Sequence, residues 1–198
     1  MINDQEYITT ELKKTLEKMI ILSTPRLNNL IAMVIIIFDH TTIDDRFVIL
    51  QFSLKVGKRA IPLWFKLFKY KEDGNKDFMH VKEGLTFLHK IVTPYKFDVT
   101  ILADRGFKSV DLFKFIDETL NWKYCIRCTK DLGISIDGKS KIKKLDDIIP
   151  AKWSTKYFYN VKLTAQEYVC NMAVCKAQDA VFLCLYSIFL HYFTWCFL

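Results

Sequence analysis

Two aspartates are the residues best placed to do chemistry. Asp39 interrupts the apolar run "AMVIIIFDHTTI", and Asp104 ends the run "VTILAD" just before "RGFKS". Strand side chains alternate, so Asp39 shares a face with Ile35, Ile37 and Thr41. If the two runs form neighbouring strands, the carboxylates meet at the carboxyl edge of a sheet, where open α/β sheets place their sites. Two carboxylates held that close repel, and one would take up a proton unless a cation lay between them. Mg²⁺ favours carboxylate oxygens and keeps several waters, which leaves room for a phosphate.

Basic residues gather around the same segments. Arg105 follows Asp104 at the expected start of a helix, a natural place to hold a phosphate. Arg127 and Lys130 lie on and just beyond the next strand and could hold one too. The "KSKIKK" cluster at 139–144 is either a backbone contact for an anionic polymer or a solvated hairpin. Simpler readings stand beside these. Asp39 can be a turn-proximal or buried hydrogen-bonded aspartate, and Asp104 can cap backbone amides in an ordinary strand-to-helix turn. Asp44 and Asp45 read as turn formers.

The elements that must position these residues follow from hydrophobic spacing. Leu12, Leu16 and Ile20 predict a helix in the first thirty residues. "AMVIIIFDHTTI" reads as a central strand buried on both faces. "RFVILQFSLKV" and "AIPLWFKLF" complete an antiparallel meander through short turns. Val81, Leu85 and Leu88 predict an amphipathic helix ending before Pro94. "FDVTILAD" is the fourth strand. Ser109 is a candidate N-cap for a helix whose stripe is Val110, Phe113, Ile116 and Leu120. "WKYCIRCT" is the fifth strand, followed by a hairpin around Gly138 and strands in "KYFYNVKLT" and "EYVCNMAVC". With right-handed crossovers the expected sheet order is 3-2-1-4-5, an α/β ribonuclease-H-like mixed sheet with a β-rich insertion.

Composition narrows the partners. The 198-residue chain is half hydrophobic and a quarter charged, which is globular composition, and its formal net charge of +7 leans toward an anionic partner. The opening "MINDQEYITTELKK" has no secretory pattern, so reduced thiols in the cytoplasm are the expectation for the six cysteines. In "CIRC" and "CNMAVC" the paired cysteines would point to opposite strand faces, which disfavours a shared zinc. The aromatic residues of strand five and later strands read as core. From Ala180 to Leu198 nothing is charged and seven of nineteen residues are aromatic. By length that tail is a membrane-span candidate, although His191 sits within it and its basic flank is thin.

The stretches "IIIFDHTTIDDRFVILQFSLKVGKRAIPLWF" and "VTILADRGFKSVDLFKFIDETLNWKYCIRCTKD" resemble the catalytic core of bacterial insertion-sequence transposases of the DDE type with a β-rich insertion. The resemblance runs over residues 31–131 and more loosely to about 175. It implies that Asp39 and Asp104 are the first two catalytic, metal-holding acids, and that Arg127 is the arginine of a Tyr-x-x-Arg strand, here "YCIR". It implies Mg²⁺ or Mn²⁺ as cofactor. It also implies hydrolysis at the element's end, then in-line attack of the freed 3′-hydroxyl on target DNA. Arg105, Arg127 and Lys130 become DNA contacts. The implied partners are double-stranded DNA, at transposon ends and target, with a homodimer or intact relatives as protein partners and a nucleoid-associated, cytoplasmic location. The sequence departs from the family in having no glutamate helix with the pattern Tyr-x-x-Arg-x-x-x-Glu-x-x-x-x-x-x-Lys. The expected organisation is a helical remnant (1–30), a core (31–131), a partial insertion (132–179) and an off-pattern hydrophobic tail (180–198). That describes a fragment truncated at both ends and inactive for want of a third acid. The alternatives are a non-catalytic DNA-binding fragment and a tail-anchored membrane protein with an α/β head.

Overall fold

The structure is a computed structural model and describes residues 10, 14–15, 17–21, 33–70, 76–129, 132–136, 148–163, 168–176 and 181–187. It is mixed α/β, with nine strands and few helices among those residues. The chain divides into two compact units, Met1–Ile101 and Leu102–Leu198.

The first unit is built on the expected meander. β1 (Met33–Ile43), β2 (Phe47–Val56) and β3 (Arg59–Lys69) pair antiparallel in the order β3-β2-β1. The β1–β2 turn puts Asp44 and Asp45 in left-handed conformation, with φ of 49° and 51°, and Arg46 N–H donates to the Ile43 carbonyl at 3.0 Å. That is a two-residue turn whose hand suits twisted strands and whose geometry Asp tolerates. Both aspartates are thus turn formers.

β1 corrects one expectation. Val34, Ile36 and Phe38 are fully buried, whereas Ile35 and Ile37 on the other face are only half-buried and Asp39 is exposed. The strand is covered on one face, not on both. Its covered face continues across Phe52, which stacks on Phe38 at 5.0 Å and meets Trp64 edge-on at 5.4 Å. Helix α1 (Lys76–Val92) buries Val81, Leu85 and Leu88 as its spacing predicts, and Ile91 and Val92 as well. A Cβ at Gly84 of that helix would lie 2.5 Å from the Phe52 ring and 2.9 Å from Trp64, so only glycine permits this approach. A 3₁₀ turn containing Pro94 follows the helix. Of the N-terminal helix, residues 17–21 are helical and Ile20 is buried; Leu12 and Leu16 lie outside the described residues.

β4 (Asp98–Ala103) crosses the boundary between the units. In the second unit a 3₁₀ turn, Arg105–Phe107, separates β4 from the next helix, which begins only at Val110. Arg105 therefore does not sit at the helix start as expected. Ser109 has the extended backbone of an N-cap, but its side chain makes no capping hydrogen bond. Helix α2 (Val110–Lys114) widens into a π-helical turn, Phe115–Thr119, in which Leu120 N–H reaches the Phe115 carbonyl at 3.1 Å. The wider turn buries Phe115 beside Ile116, in addition to Phe113 and Leu120 of the expected stripe; Val110 is only half-buried.

The expected sheet ended at strand five, with the later strands as an insertion outside it. The observed order differs. β5 (Lys123–Arg127) is paired by β9 (Val181–Tyr186), and β8 (Tyr168–Lys176), β7 (Ser154–Leu163) and β6 (Ile134–Ser135) follow in the order β5-β9-β8-β7-β6. The first residues of the uncharged tail thus form an interior strand, antiparallel to both β5 and β8. Their lack of charge suits a strand buried between two others. The hairpin around Gly138 and residues 188–198 lie outside the described residues.

The core of the second unit centres on Tyr124, fully buried on β5. Its ring stacks on Phe113 at 5.0 Å, and its hydroxyl lies 3.1 Å from that of Tyr168. Burial pushes the Tyr124 hydroxyl far above the ordinary tyrosine range, and pushes Tyr168 up to about 12. Cys125, Ala173, Cys184 and Tyr186 form a further buried cluster. Cys125, Cys128, Cys170, Cys175 and Cys184 form no disulfide among the described residues, and burial pushes Cys170 up to about 12.

Candidate functional site

The residues singled out by the sequence fall in both units. Asp39 is in the first unit, mid-way along the outer half of β1, four residues before the strand ends. Its Oδ1 accepts the His40 backbone N–H at 2.8 Å, and the side chain is exposed. Register puts Asp39 opposite Gln51, which is opposite Phe65, on the less covered face of the meander. It is neither in the turn nor buried.

Asp104 belongs to the second unit and stands one residue beyond β4. Its backbone is extended (φ −82°, ψ 172°), and the carboxylate makes no capping hydrogen bond, so it is not the cap of an ordinary turn. It faces the guanidinium of Arg127 on β5 instead, with Nη1 to Oδ1 at 3.1 Å. The two side chains are 44% and 47% exposed, respectively. Oδ1 itself is sealed from solvent and lacks an aligned hydrogen bond, so the contact is a charge attraction without good donor geometry.

Arg105, exposed, opens the 3₁₀ turn beside Asp104. Lys130 lies outside the described residues, as does the 139–144 cluster. A further cation joins the site that sequence spacing did not single out. The Lys108 ammonium donates to the Thr129 hydroxyl, two residues past Arg127. Its signal is the "DRGFK" segment, which Lys108 ends, but only the return of the chain along β5 brings Thr129 to it. Among the described residues, the second unit thus brings Lys108 and Arg127 to the end of β4, where Arg105 follows the Asp104 carboxylate.

The donor chemistry can be weighed against Mg²⁺ or Mn²⁺. Asp39 and Asp104 supply carboxylate oxygens, the hard ligands such ions prefer, and each has one oxygen already engaged. Among the described residues, no three His, Cys, Asp or Glu side chains gather into a metal-holding group. The type of donor fits; the number falls short of what a two-metal centre uses.

No protein-family model matches the chain, and no curated protein matches it by sequence. Three solved structures are similar in part. Argonaute of Marinitoga piezophila, in complex with 5′ OH guide RNA and target DNA, is 14% identical with a TM-score of 0.33, over 78% of this chain and 22% of that one. Endonuclease V of Ciona intestinalis, in complex with DNA containing inosine, is 12% identical with a TM-score of 0.43, over 93% and 83%. The NurA nuclease of Sulfolobus solfataricus is 12% identical with a TM-score of 0.34, over 95% and 79%. The chain spans less than a quarter of the Argonaute's length. Likeness at this level carries nothing about the site.

Proposed function

We propose that this chain is of the DDE-transposase type and binds duplex DNA and a divalent cation, with Asp39 and Asp104 as the metal-holding carboxylates. The observation that carries the reading is the position of Asp104. It ends a buried strand, caps nothing, and is set among Arg105, Lys108 and Arg127, where an anionic backbone and a cation would both find ligands. The motif resemblance supplies the class of reaction. When bound, Mg²⁺ or Mn²⁺ would lower the pKa of a water and neutralise charge on a phosphodiester. Arg105 and Arg127 would hold phosphates, and Lys130 is assigned the same role. Binding of DNA and cation through these residues is the expected behaviour, in the cytoplasm and on the nucleoid.

The test is a mobility shift on duplex DNA with Mg²⁺ present, followed by denaturing electrophoresis of the same samples. A salt-sensitive shift, with or without nicking, supports the reading. No shift at low salt overturns it.

The membrane alternative is weaker on one observation: residues 181–186 are an interior strand.

A further inference from the structure

The β7 region exposes aromatic residues where a core was expected. Trp153 is 70% exposed, Tyr159 63% and Tyr157 40%. Large aromatic rings left in water at one edge are informative, because burying them is what a fold ordinarily does. Trp153 is also held in the left-handed region (φ 62°), and its N–H donates to the Lys176 carbonyl at 2.7 Å, so its backbone position is fixed. Tyr157 and Tyr159 are two residues apart on β7, Tyr159 within the irregularity that follows Phe158, and both act on the buried Tyr186, which burial and these neighbours push up to about 12.

Lysines accompany these rings. From Ile148 to Ser187 the described residues include Lys152, Lys156, Lys162 and Lys176. Lys156 lies over the Phe158 ring at 5.2 Å, on the strand face opposite Tyr157. The edge is also tied to the site described above. Tyr157 is opposite Ala173, Ala173 opposite Cys184, and Cys184 opposite Arg127, so Tyr157 and Arg127 share a sheet face three strand spacings apart, about 14 Å.

Exposed rings with lysines on the neighbouring positions match one ligand chemistry. Such rings offer flat apolar surfaces to bases, and the lysines offer counter-charges to the phosphates joining them. We infer that the β7 edge, through Trp153, Tyr157 and Tyr159 with the surrounding lysines, is a stacking site for a single-stranded polynucleotide. This deepens the proposed function, from which it takes the polynucleotide class. A duplex keeps its bases stacked on one another and offers these rings nothing comparable. A peptide strand adding to the β7 edge would use backbone groups and be indifferent to the rings.

The test is fluorescence anisotropy with a labelled oligothymidylate on the full chain, beside a duplex of equal length. Trp153→Ala and Tyr159→Ala should each weaken oligothymidylate binding about tenfold, within the range known for loss of one stacked base. Tyr159→Phe, which keeps the ring, should bind as the wild type does. Lys152→Gln should lower the salt slope by about 0.7, the value for one lost phosphate contact to a single strand. Because these side chains are exposed, the variants should unfold at the wild-type temperature. Quenching of Trp153 fluorescence by the oligonucleotide, absent in Trp153→Phe, gives a reading independent of alanine variants. Equal affinity in wild type and both alanine variants, absence of single-strand binding, or binding of the duplex alone overturns the inference. Stacking without any divalent-cation binding would leave it standing while removing the proposed metal site.

Discussion

Arg127 Nη1 lies 3.1 Å from Asp104 Oδ1, so the acid assigned to a cation is already held by a cation of the protein. Both side chains are close to half-exposed, and such pairs contribute about 0–1 kcal/mol. Arg127→Gln should therefore leave the unfolding temperature within a few degrees of wild type. The same change should strengthen Mn²⁺ binding by freeing Asp104. It should also weaken duplex binding and lower the salt slope by about 0.9, the value for one phosphate contact. Thermal unfolding and a salt titration check both halves.

The first unit depends on a glycine. Gly84→Ala would place a methyl group 2.5 Å from the fully buried Phe52 ring, which is itself stacked on Phe38. Overpacking of this kind costs about 1–3 kcal/mol. The alanine gains about 1 kcal/mol of helix propensity in return, which is not enough to reverse the sign. The midpoint of denaturant unfolding should fall, with the slope unchanged.

The second unit should lose stability in alkali. The Tyr124 proton is retained in the folded state because burial, above all, raises its pKa; Cys170 and the Tyr168 hydroxyl act in the same direction. The unfolded chain releases that proton near pH 10.0, the ordinary tyrosine value. Stability is therefore fully present below that pH and falls as pH rises above it, by about 1.4 kcal/mol per pH unit for one fully retained proton. In Tyr124→Phe this part of the decline should disappear. Chemical denaturation at pH 9, 10 and 11 (on the order of the window set by the shift) measures the slope.

The uncharged segment after Asp179 has a structural role that deletion should expose. β9 pairs with β5 on one side and β8 on the other, and Leu183, Cys184 and Leu185 are buried. Deleting residues 180–198 removes that strand and leaves two facing strands without their ladder. The shortened chain should lose the near-ultraviolet circular dichroism signal of Tyr124 and Tyr168. A shortened chain with the native spectrum would mean that the second unit closes without β9.

Local rules made much of the fold legible. The meander, α1 and the turn at Asp44–Asp45 follow from alternation, helical spacing and the tolerance of aspartate for the left-handed region. The burial of β1 was misjudged because "VIIIF" is apolar throughout, and composition cannot say which face a helix covers. β9 was missed for the opposite reason: a strand buried on both faces and an out-of-pattern apolar tail have the same composition. The widening at Phe115–Thr119 left no mark in the stripe, since Phe113, Ile116 and Leu120 fit an ordinary helix equally well. Exposed Trp153, Tyr157 and Tyr159 run against the general tendency of such residues to be core, so composition alone points them inward. For the site, Asp104 and Arg127 were legible one by one. Their pairing, and the recruitment of Lys108, depend on where β5 returns.

Mn²⁺ binding followed by electron paramagnetic resonance, in wild type, Asp39→Asn and Asp104→Asn, tests the joint role of the two acids most directly. One bound ion in the wild type, lost in each variant with folding intact, is the expected outcome. Equal binding in all three proteins, or loss in one variant alone, would show that the two acids do not hold a cation together.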